Sequence, residues 1–166
     1  MKKENGTWYE NPGGVPQSNE WYTPPKVFDK LKTTFDLDVA APKGGVPWIP
    51  ATDHYYKEID GLKQPWYGFV WCNPPYGKNT GIWLKKFIEH GNGIALVFSR
   101  TDTIWFHDYA TQADILCFIK ARLKFYKGDI ESKQVSTGNL LIGCGTKAIN
   151  VLEQTDIGYS IKLWKS

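Results

Sequence analysis

Apolar residues along this chain fall into two patterns that alternate from one end to the other. One pattern is a short, mainly apolar run, typical of a strand buried on both faces of a sheet. Such runs occupy residues 37–41, 68–72, 94–98, 115–119 and 139–144. The other pattern places apolar residues at helical spacing. Because helices alternating with apolar strands pack on both faces of a sheet, the chain is predicted to form a three-layer α/β fold with an antiparallel edge strand near its C-terminus.

The helices are predicted from their spacing and end signals. In the first, Thr23 is the expected N-cap and Pro24 the first helical residue, where the missing N–H of proline costs nothing. Its predicted buried face comprises Val27, Phe28, Leu31 and Phe35. The second helix is predicted to end at Gly91, after Ile82, Trp83, Lys86 and Phe87. A short third helix is predicted over residues 103–111.

Two stretches lack either pattern. Residues 42–53 contain proline and glycine without periodicity and are predicted to form a loop. Residues 1–20 are polar and rich in glycine, proline and asparagine, so an irregular arm is expected there. The predicted organisation is therefore this arm followed by a single domain over residues 21–166.

Composition narrows the class of protein. The 166 residues suit one domain, and the 42% apolar and 22% charged fractions are those of a soluble protein. The net charge of +3 is too mild to indicate nucleic-acid binding by itself. The eight tryptophans fit either a tryptophan-rich core or aromatic binding surfaces. Three scattered cysteines in apolar runs indicate reduced core residues and no metal site, and no apolar run reaches the roughly 20 residues of a membrane span. We expect a cytoplasmic protein with no membrane partner.

The most informative segment follows the predicted strand at 68–72, where the chain reads Asn-Pro-Pro-Tyr-Gly. In open α/β sheets, ligands bind beyond the carboxyl ends of the strands. Three segments are predicted to meet there: residues 38–45, 73–78 and 99–103.

Asn73, Pro74, Pro75 and Tyr76 have a chemistry suited to one kind of substrate. The prolines stiffen the turn and remove backbone donors, so the Asn73 amide oxygen and the Pro74 carbonyl are two rigid acceptors. Two acceptors suit a substrate –NH2 group, whose lone pair then points outward toward an electrophile. Tyr76 offers a face for a planar ring. The alternative is that Pro-Pro with its neighbours simply stops the strand.

The order of several motifs resembles one family. The segments WYTPPKVFDKL, FDLDVAAP, DGL, VWCNPPYG, SRTDTIWFH and ARLKF occur here as in phage-type DNA N-6-adenine methyltransferases, from about Trp21 to Phe125. The resemblance implies a Rossmann-like methyltransferase fold with a mostly parallel sheet, and S-adenosylmethionine as the cofactor. It also implies a phage-encoded enzyme of DNA modification, of the kind linked to restriction–modification, that acts on double-stranded DNA in the host cytoplasm.

The resemblance also implies roles for individual residues. Asn73, Pro74, Pro75 and Tyr76 would be catalytic, holding and stacking an adenine flipped out of the duplex. Besides Asn73, the residues implied in cofactor binding are Thr23, Pro24, Asp38, Ala40 and Asp60. In place of a Gly-x-Gly turn after the first strand, this chain has DVAAPKGG, in which small residues allow close backbone approach.

Substrate contacts are expected from further residues near the same edge. Besides Tyr76, they are Lys78, Arg100, Trp105, His107 and Arg122. For the residues after the strand at 94–98, the alternative is an ordinary helix start with Trp105 packed on the sheet. For Arg122 and the lysines near it, the alternative is a solvated strand edge.

Three functions follow from this pattern. The first is site-specific transfer of a methyl group to the exocyclic N6 amine of adenine in DNA. The second keeps the chemistry but changes the acceptor to RNA or to protein glutamine. The third is a nucleic-acid-binding module without catalysis. The sequence leaves the oligomeric state open.

Overall fold

The fold is a single mixed sheet with helices on both faces, here described from a computed structural model covering residues 21–128, 130–131 and 137–164. The predicted arm at residues 1–20 lies outside the described residues. The helices are α1 (Pro25–Leu31), α2 (Thr80–His90), α3 (Ile104–Asp108) and α4 (Thr146–Gln154). The strands are β1 (Phe35–Asp38), β2 (Ala51–His54), β3 (Val70–Cys72), β4 (Gly93–Phe98), β5 (Ile115–Ile119), β6 (Tyr126–Lys127), β7 (Ile130–Glu131), β8 (Asn139–Cys144) and β9 (Gly158–Lys162).

Seven strands form the main sheet in the order β2-β1-β3-β4-β8-β5-β9, and β6 and β7 form a separate hairpin. Strands β2, β1, β3 and β4 are parallel, whereas β8 is antiparallel to both β4 and β5. It follows that β5 runs in the same direction as β4. The carboxyl ends of β1 to β5 therefore meet at one edge, together with the amino end of β8.

The strand order reverses between β1 and β3. From β1 the chain passes to β2 on one side and then returns to β3 on the other. Such a reversal opens a crevice beyond the carboxyl ends, which is where open α/β sheets bind their ligands. The sheet order thus places a site next to the ends of β1 and β3.

Apolar side chains of the strands and helices fill two cores, one on each face of the sheet. On one face, Leu84 and Phe87 of α2 pack with Val70 and Cys72 of β3. The opposite core contains Val27, Phe28 and Leu31 of α1, Ala148 and Leu152 of α4, and Phe35, Trp71, Ile94, Leu96 and Leu141 of the sheet. Burial on both faces explains why the central strands are continuous apolar runs.

Several predicted elements are confirmed. Strands β5 and β8 have the predicted bounds, while β4 begins one residue before its prediction. Helix α2 ends at His90 and is capped by the predicted Gly91, whose φ of 72° is the left-handed conformation that glycine adopts without steric cost. None of the helices in the described part is long and apolar enough to cross a membrane.

The first helix and first strand differ from the prediction. Helix α1 starts one residue later, with Pro24 as its N-cap and Pro25 as its first residue, so Thr23 is not the cap. Phe35 begins β1 and is not on the helix, because the chain turns at Lys32 with a φ of 48°. Strand β1 covers Phe35–Asp38 and not residues 37–41.

Other differences lie in the loop, the third helix and the sheet. The predicted loop at 42–53 contains the start of β2. The third helix is only Ile104–Asp108, followed by a 3-10 turn at Ala110–Gln112. Edge strand β9 is antiparallel, as predicted near the C-terminus, but β8 is also antiparallel and lies inside the sheet. Helix α4 and strand β9 had no predicted bounds.

Candidate active site

Asn73 follows directly on β3, and its amide is held from both ends. Its Nδ2 donates to the backbone carbonyl of Trp21 at 2.8 Å. Its Oδ1 accepts from the hydroxyl of Tyr76 at 3.1 Å. Because a carbonyl can only accept and the phenol here donates, these two bonds fix which end of the amide is the acceptor.

Tyr76 turns back against the sheet. Its ring stacks on Phe98 of β4, with centroids 4.0 Å apart and planes at 21°. The edge of Phe125 approaches from another side, with centroids 6.0 Å apart. Burial raises the pKa of the Tyr76 hydroxyl well above its ordinary value, so this group is a neutral donor at any physiological pH.

The turn between β3 and α2 is closed by Thr80, the first residue of the helix. Its hydroxyl lies 3.4 Å from the Pro75 carbonyl and accepts from the Gly77 N–H at 3.3 Å. Gly77 has a φ of 130°, which only glycine adopts readily. The Pro75 carbonyl is thus engaged inside the turn, whereas Lys78 at its tip is exposed.

Asp38 ends β1 and is paired in register with Trp71 of β3, two residues before Asn73. The strand spacing and rise place the α-carbons of Asp38 and Asn73 about 8 Å apart. The carboxyl is 4% exposed and accepts from the Ala40 N–H at 3.2 Å. Burial raises its pKa to about 7, and the bond from Ala40 only partly offsets this. A nearby cation would remove that penalty.

Asp60 lies in the turn that follows β2, with a φ of 58°. Its carboxylate accepts from the Leu62 N–H at 3.3 Å and pairs with Lys63 at 3.0 Å. The next residue, Gly61, packs so closely on the end of β1 that a Cβ would lie 2.2 Å from the Val39 carbonyl. Asp60 is therefore held beside the residue that follows Asp38.

Lys86 fastens the same turn to α2. Its ammonium donates to the carbonyls of Gly61 at 3.2 Å, Leu62 at 2.7 Å and Gln64 at 2.5 Å. Burial lowers the pKa of this lysine. The helical spacing placed Lys86 on the inward face, but this role was not predicted. A lysine at an inward position of an amphipathic helix is the signal that indicates such a partner.

The segment before α1 crosses the same edge of the sheet. The Thr23 carbonyl accepts from the Trp48 indole at 2.8 Å, and Tyr22 forms a β-bridge with Tyr126. The Thr23 side chain is fully buried, and within the described part of the chain its hydroxyl has no hydrogen-bond partner. Thr23 and Pro24 thus lie beside the segment that holds the Asn73 amide.

The other predicted contact residues are spread along the edge. Arg100 and His107 are exposed, whereas Trp105 is partly buried and packs on the core beside α2. The packed position of Trp105 is that of the alternative interpretation. Arg122 is exposed in the segment after β5, where exposed Arg122 and Lys124 alternate with buried Leu123 and Phe125, and Lys120 is also exposed.

No group of His, Cys, Asp or Glu side chains within the described ranges could hold a metal ion. Three other groups lie at this edge of the sheet: the oriented amide of Asn73, the stacked phenol of Tyr76 and the buried carboxyl of Asp38. A model of the DNA N-6-adenine-methyltransferase (Dam) family matches residues 14–143, most of the chain. The chain belongs to this family. No curated protein and no solved structure gave a match.

The Dam family assignment agrees with the resemblance found in the motifs. The matched range contains β1 to β7 and all but the last residue of β8, and so every segment that reaches the edge described above. Methyl transfer to adenine in DNA is the activity that this family supports. Two residues of the site were absent from the predicted set: Phe98, on which Tyr76 stacks, and Lys86.

Proposed function

We propose that this chain transfers a methyl group from S-adenosylmethionine to the exocyclic N6 amine of adenine at specific sites in double-stranded DNA. The observation that carries the proposal is the Asn73 amide, fixed at the strand-order reversal with its oxygen directed at a hydroxyl donor. A substrate amine can replace the Tyr76 hydroxyl at that oxygen. The reach of Asn73 to a base requires that the base leave the duplex stack.

The reaction rests on how the amine is held. Asn73 Oδ1 accepts one N6 proton, and the Pro74 carbonyl accepts the other. Both acceptors are fixed, so the nitrogen lone pair points away from the turn and toward the methyl donor. The new N–C bond would form as the methyl–sulfur bond of the donor breaks, with a neutral thioether as the leaving group. The methylated amine would then lose a proton to water, so no side-chain base is required. Tyr76 gives the base a stacking face.

The residues at the end of β1 fit the cofactor. When bound, S-adenosylmethionine supplies an electrophilic methyl group on a sulfonium centre. Its ammonium group matches Asp38, whose carboxyl has a pKa raised to about 7 by burial. Its polar groups also match the Thr23 hydroxyl, which is buried without a partner. Ala40 donates its N–H to Asp38, and Asp60 precedes Gly61, which packs on Val39. With Pro24, they complete the proposed cofactor residues.

Exposed groups on both sides of the site are proposed to contact DNA. Lys78 lies at the tip of the turn, Arg100 and His107 follow β4, and Arg122 follows β5. Cations spread along one edge suit contacts with phosphates, which position a duplex without reading its sequence. Trp105, which packs on the core, is proposed to hold α3 and its exposed residues in place.

The test is nucleoside analysis of unmethylated duplex DNA after incubation with the protein and S-adenosylmethionine. We expect N6-methyladenine as the product, confined to particular sequences when the methylated positions are mapped. Absence of this nucleoside, with cofactor binding intact by calorimetry, would contradict the proposal. Transfer of label to RNA or to protein glutamine instead of DNA would favour the second function.

A further inference from the structure

The amino end of β8 carries a buried polar side chain that the proposed reaction does not yet use. Asn139 is 1% exposed, and neither its amide nitrogen nor its amide oxygen has a hydrogen-bond partner among the residues that the structure describes. Leaving a buried amide unpaired costs about 1–3 kcal/mol. Such a group at an interior position indicates a partner that is absent from the free chain.

Register places Asn139 beside the candidate active site. It pairs with Phe98 in the antiparallel ladder of β4 and β8. Directly opposite residues of an antiparallel pair project from the same face of the sheet and contact each other. Phe98 is the residue on which the Tyr76 ring stacks, and Tyr76 in turn bonds Asn73. Asn139, Phe98, Tyr76 and Asn73 therefore form one series of neighbouring side chains, which connects the unpaired amide to the catalytic turn (residues 73–76).

In the free chain, Tyr76 occupies the positions that a target base needs. Its ring lies on Phe98 as a stacked base would, and its hydroxyl donates to Asn73 Oδ1 as an exocyclic amine would. Tyr76 is half-buried and lies in the turn after β3, outside the strands, so base binding would require its ring to leave Phe98 but no strand to move. That movement would uncover Phe98, which is paired with Asn139.

We propose that Asn139 binds the target adenine, its Nδ2 donating to a ring nitrogen adjacent to the exocyclic amine, either N1 or N7. This inference rests on the proposed function. With both N6 protons on Asn73 and Pro74, the neighbouring ring nitrogens are the acceptors left on that edge of the base. An amide is also the group that reads adenine edges in protein–DNA complexes. Asn139 would thus select adenine by an acceptor that the catalytic turn does not contact.

The test uses Asn139→Leu, which keeps the volume and removes both polar atoms. We expect the variant to unfold at the same or higher denaturant concentration than the parent, because an unpaired amide is lost. We expect its kcat/KM for duplex DNA to fall about 10- to 100-fold, as for one lost hydrogen bond to a bound base, with cofactor affinity unchanged. Asn150→Leu, at an exposed asparagine of α4, is the matched control and should leave both quantities unchanged.

Modified substrates give the decisive comparison. Duplexes carry adenine, 7-deazaadenine or 1-deazaadenine at the methylated position. The parent protein should lose activity on one of the two deaza substrates, and Asn139→Leu should show no further loss on that substrate. The inference would be overturned if the parent and the variant had equal kcat/KM on adenine. It would also be overturned if each deaza base lowered kcat/KM by the same factor in the parent as in the variant.

Two further arms keep the result interpretable. If Asn139→Leu does not fold, Asn139→Ala removes the same polar atoms and replaces it in the test. In addition, equal kcat/KM of the parent on all three substrates overturns the inference without any variant. A parent protein that makes no N6-methyladenine in any DNA refutes the proposed function instead. The two failures are therefore distinguishable.

Discussion

The ends of β1 and β3 lie side by side, yet their polar groups are in opposite states. At β3, the Asn73 amide has a partner at each end, Trp21 and Tyr76. At β1, the buried Asp38 carboxyl accepts a long bond from Ala40, and its pKa is raised to about 7. The first group is satisfied in the free chain, and the second is destabilised.

This difference separates the two ligands that we propose. A substrate amine must displace the Tyr76 hydroxyl from Asn73, so base binding is an exchange of one hydrogen bond for another with little net gain. A cofactor ammonium beside Asp38 instead relieves a desolvated carboxylate, so its binding gains the electrostatic energy stored there. We therefore expect cofactor affinity to depend on Asp38 and turnover to depend on Asn73.

Asn73→Ala is expected to give the largest effect. It removes the fixed acceptor for the amine, so kcat should fall about a hundredfold or more, the scale for losing one preorganised polar group. Folding should lose only about 1 kcal/mol from the broken bonds, and cofactor affinity should not change. The measurements are methyl transfer to DNA, calorimetric cofactor binding and denaturant unfolding.

Asn79→Ala is the matched control for this prediction. Asn79 lies in the same turn, is exposed, and makes no side-chain bond to the start of α2. Its replacement should leave kcat unchanged. If Asn73→Ala retains full transfer, or if it loses cofactor binding to the same extent as transfer, then the division of roles between β1 and β3 is wrong.

Asp38→Asn is expected to weaken cofactor binding about 10- to 100-fold, the range for a lost charge-assisted hydrogen bond. The same change should stabilise the fold at pH 8, because the carboxylate is then ionised and buried. Because burial raises the pKa of Asp38 to about 7, this gain in the free energy of unfolding is about 4 kcal/mol at most. Calorimetry and denaturant unfolding measure the two effects, which have opposite signs.

The pH dependence follows from the raised pKa of Asp38. Below about pH 4 the carboxyl is protonated in both the folded and the unfolded chain. Between about pH 4 and 7 the unfolded chain releases its proton first, so the contribution of Asp38 to the free energy of unfolding falls as pH rises, and it stays low above pH 7. The free energy of unfolding of Asp38→Asn should lack this fall with pH. The cofactor affinity of the parent should increase between pH 6 and 8, whereas that of Asp38→Asn should not.

Asp53 on neighbouring β2 provides the contrast. Its exposed carboxylate accepts from the Tyr67 hydroxyl at 2.9 Å, and this bond lowers its pKa. Its contribution to stability is therefore present at neutral pH and is lost in acid. Asp53→Asn should not stabilise the fold at pH 8 or change cofactor affinity. A gain at pH 8 equal to that of Asp38→Asn would mean that burial at β1 is not the cause.

The bounds of the strands could be predicted from the sequence where apolar residues are contiguous. The runs of β4, β5 and β8 are buried on both faces, and their bounds were found to within one residue. Strand β2 reads Ala-Thr-Asp-His with an exposed centre, so it has no apolar run to detect. Phe35 lies at helical spacing from Leu31 by coincidence, since the left-handed conformation of Lys32 ends the helix there, with its N–H bonded to the Phe28 carbonyl.

The site was predictable where a motif has its own local chemistry. The turn of Asn73 to Tyr76 follows from residue types and from the strand before it. Asn139 was hidden because it begins an apolar run, and its lack of a partner appears only when the neighbouring strands are in place. The reversal of strand order that brings Asp38 next to Asn73 is likewise a long-range property, which local patterns do not carry.

Tyr76 offers the smallest expected effect and the sharpest test of how Asn73 is satisfied. Tyr76→Phe removes the hydroxyl that Asn73 Oδ1 accepts but keeps the ring on Phe98, so stability should fall by about 1 kcal/mol. Because a substrate amine replaces that hydroxyl in any case, kcat/KM for DNA should change by less than about threefold. Tyr76→Ala also removes the stacking face, worth about 1–3 kcal/mol, and should lower kcat/KM about 5- to 150-fold. A loss of methyl transfer in Tyr76→Phe as large as in Asn73→Ala would show that the hydroxyl acts in the reaction itself. The hydrogen bond from Tyr76 to Asn73 would then belong to the reaction and not only to the free chain.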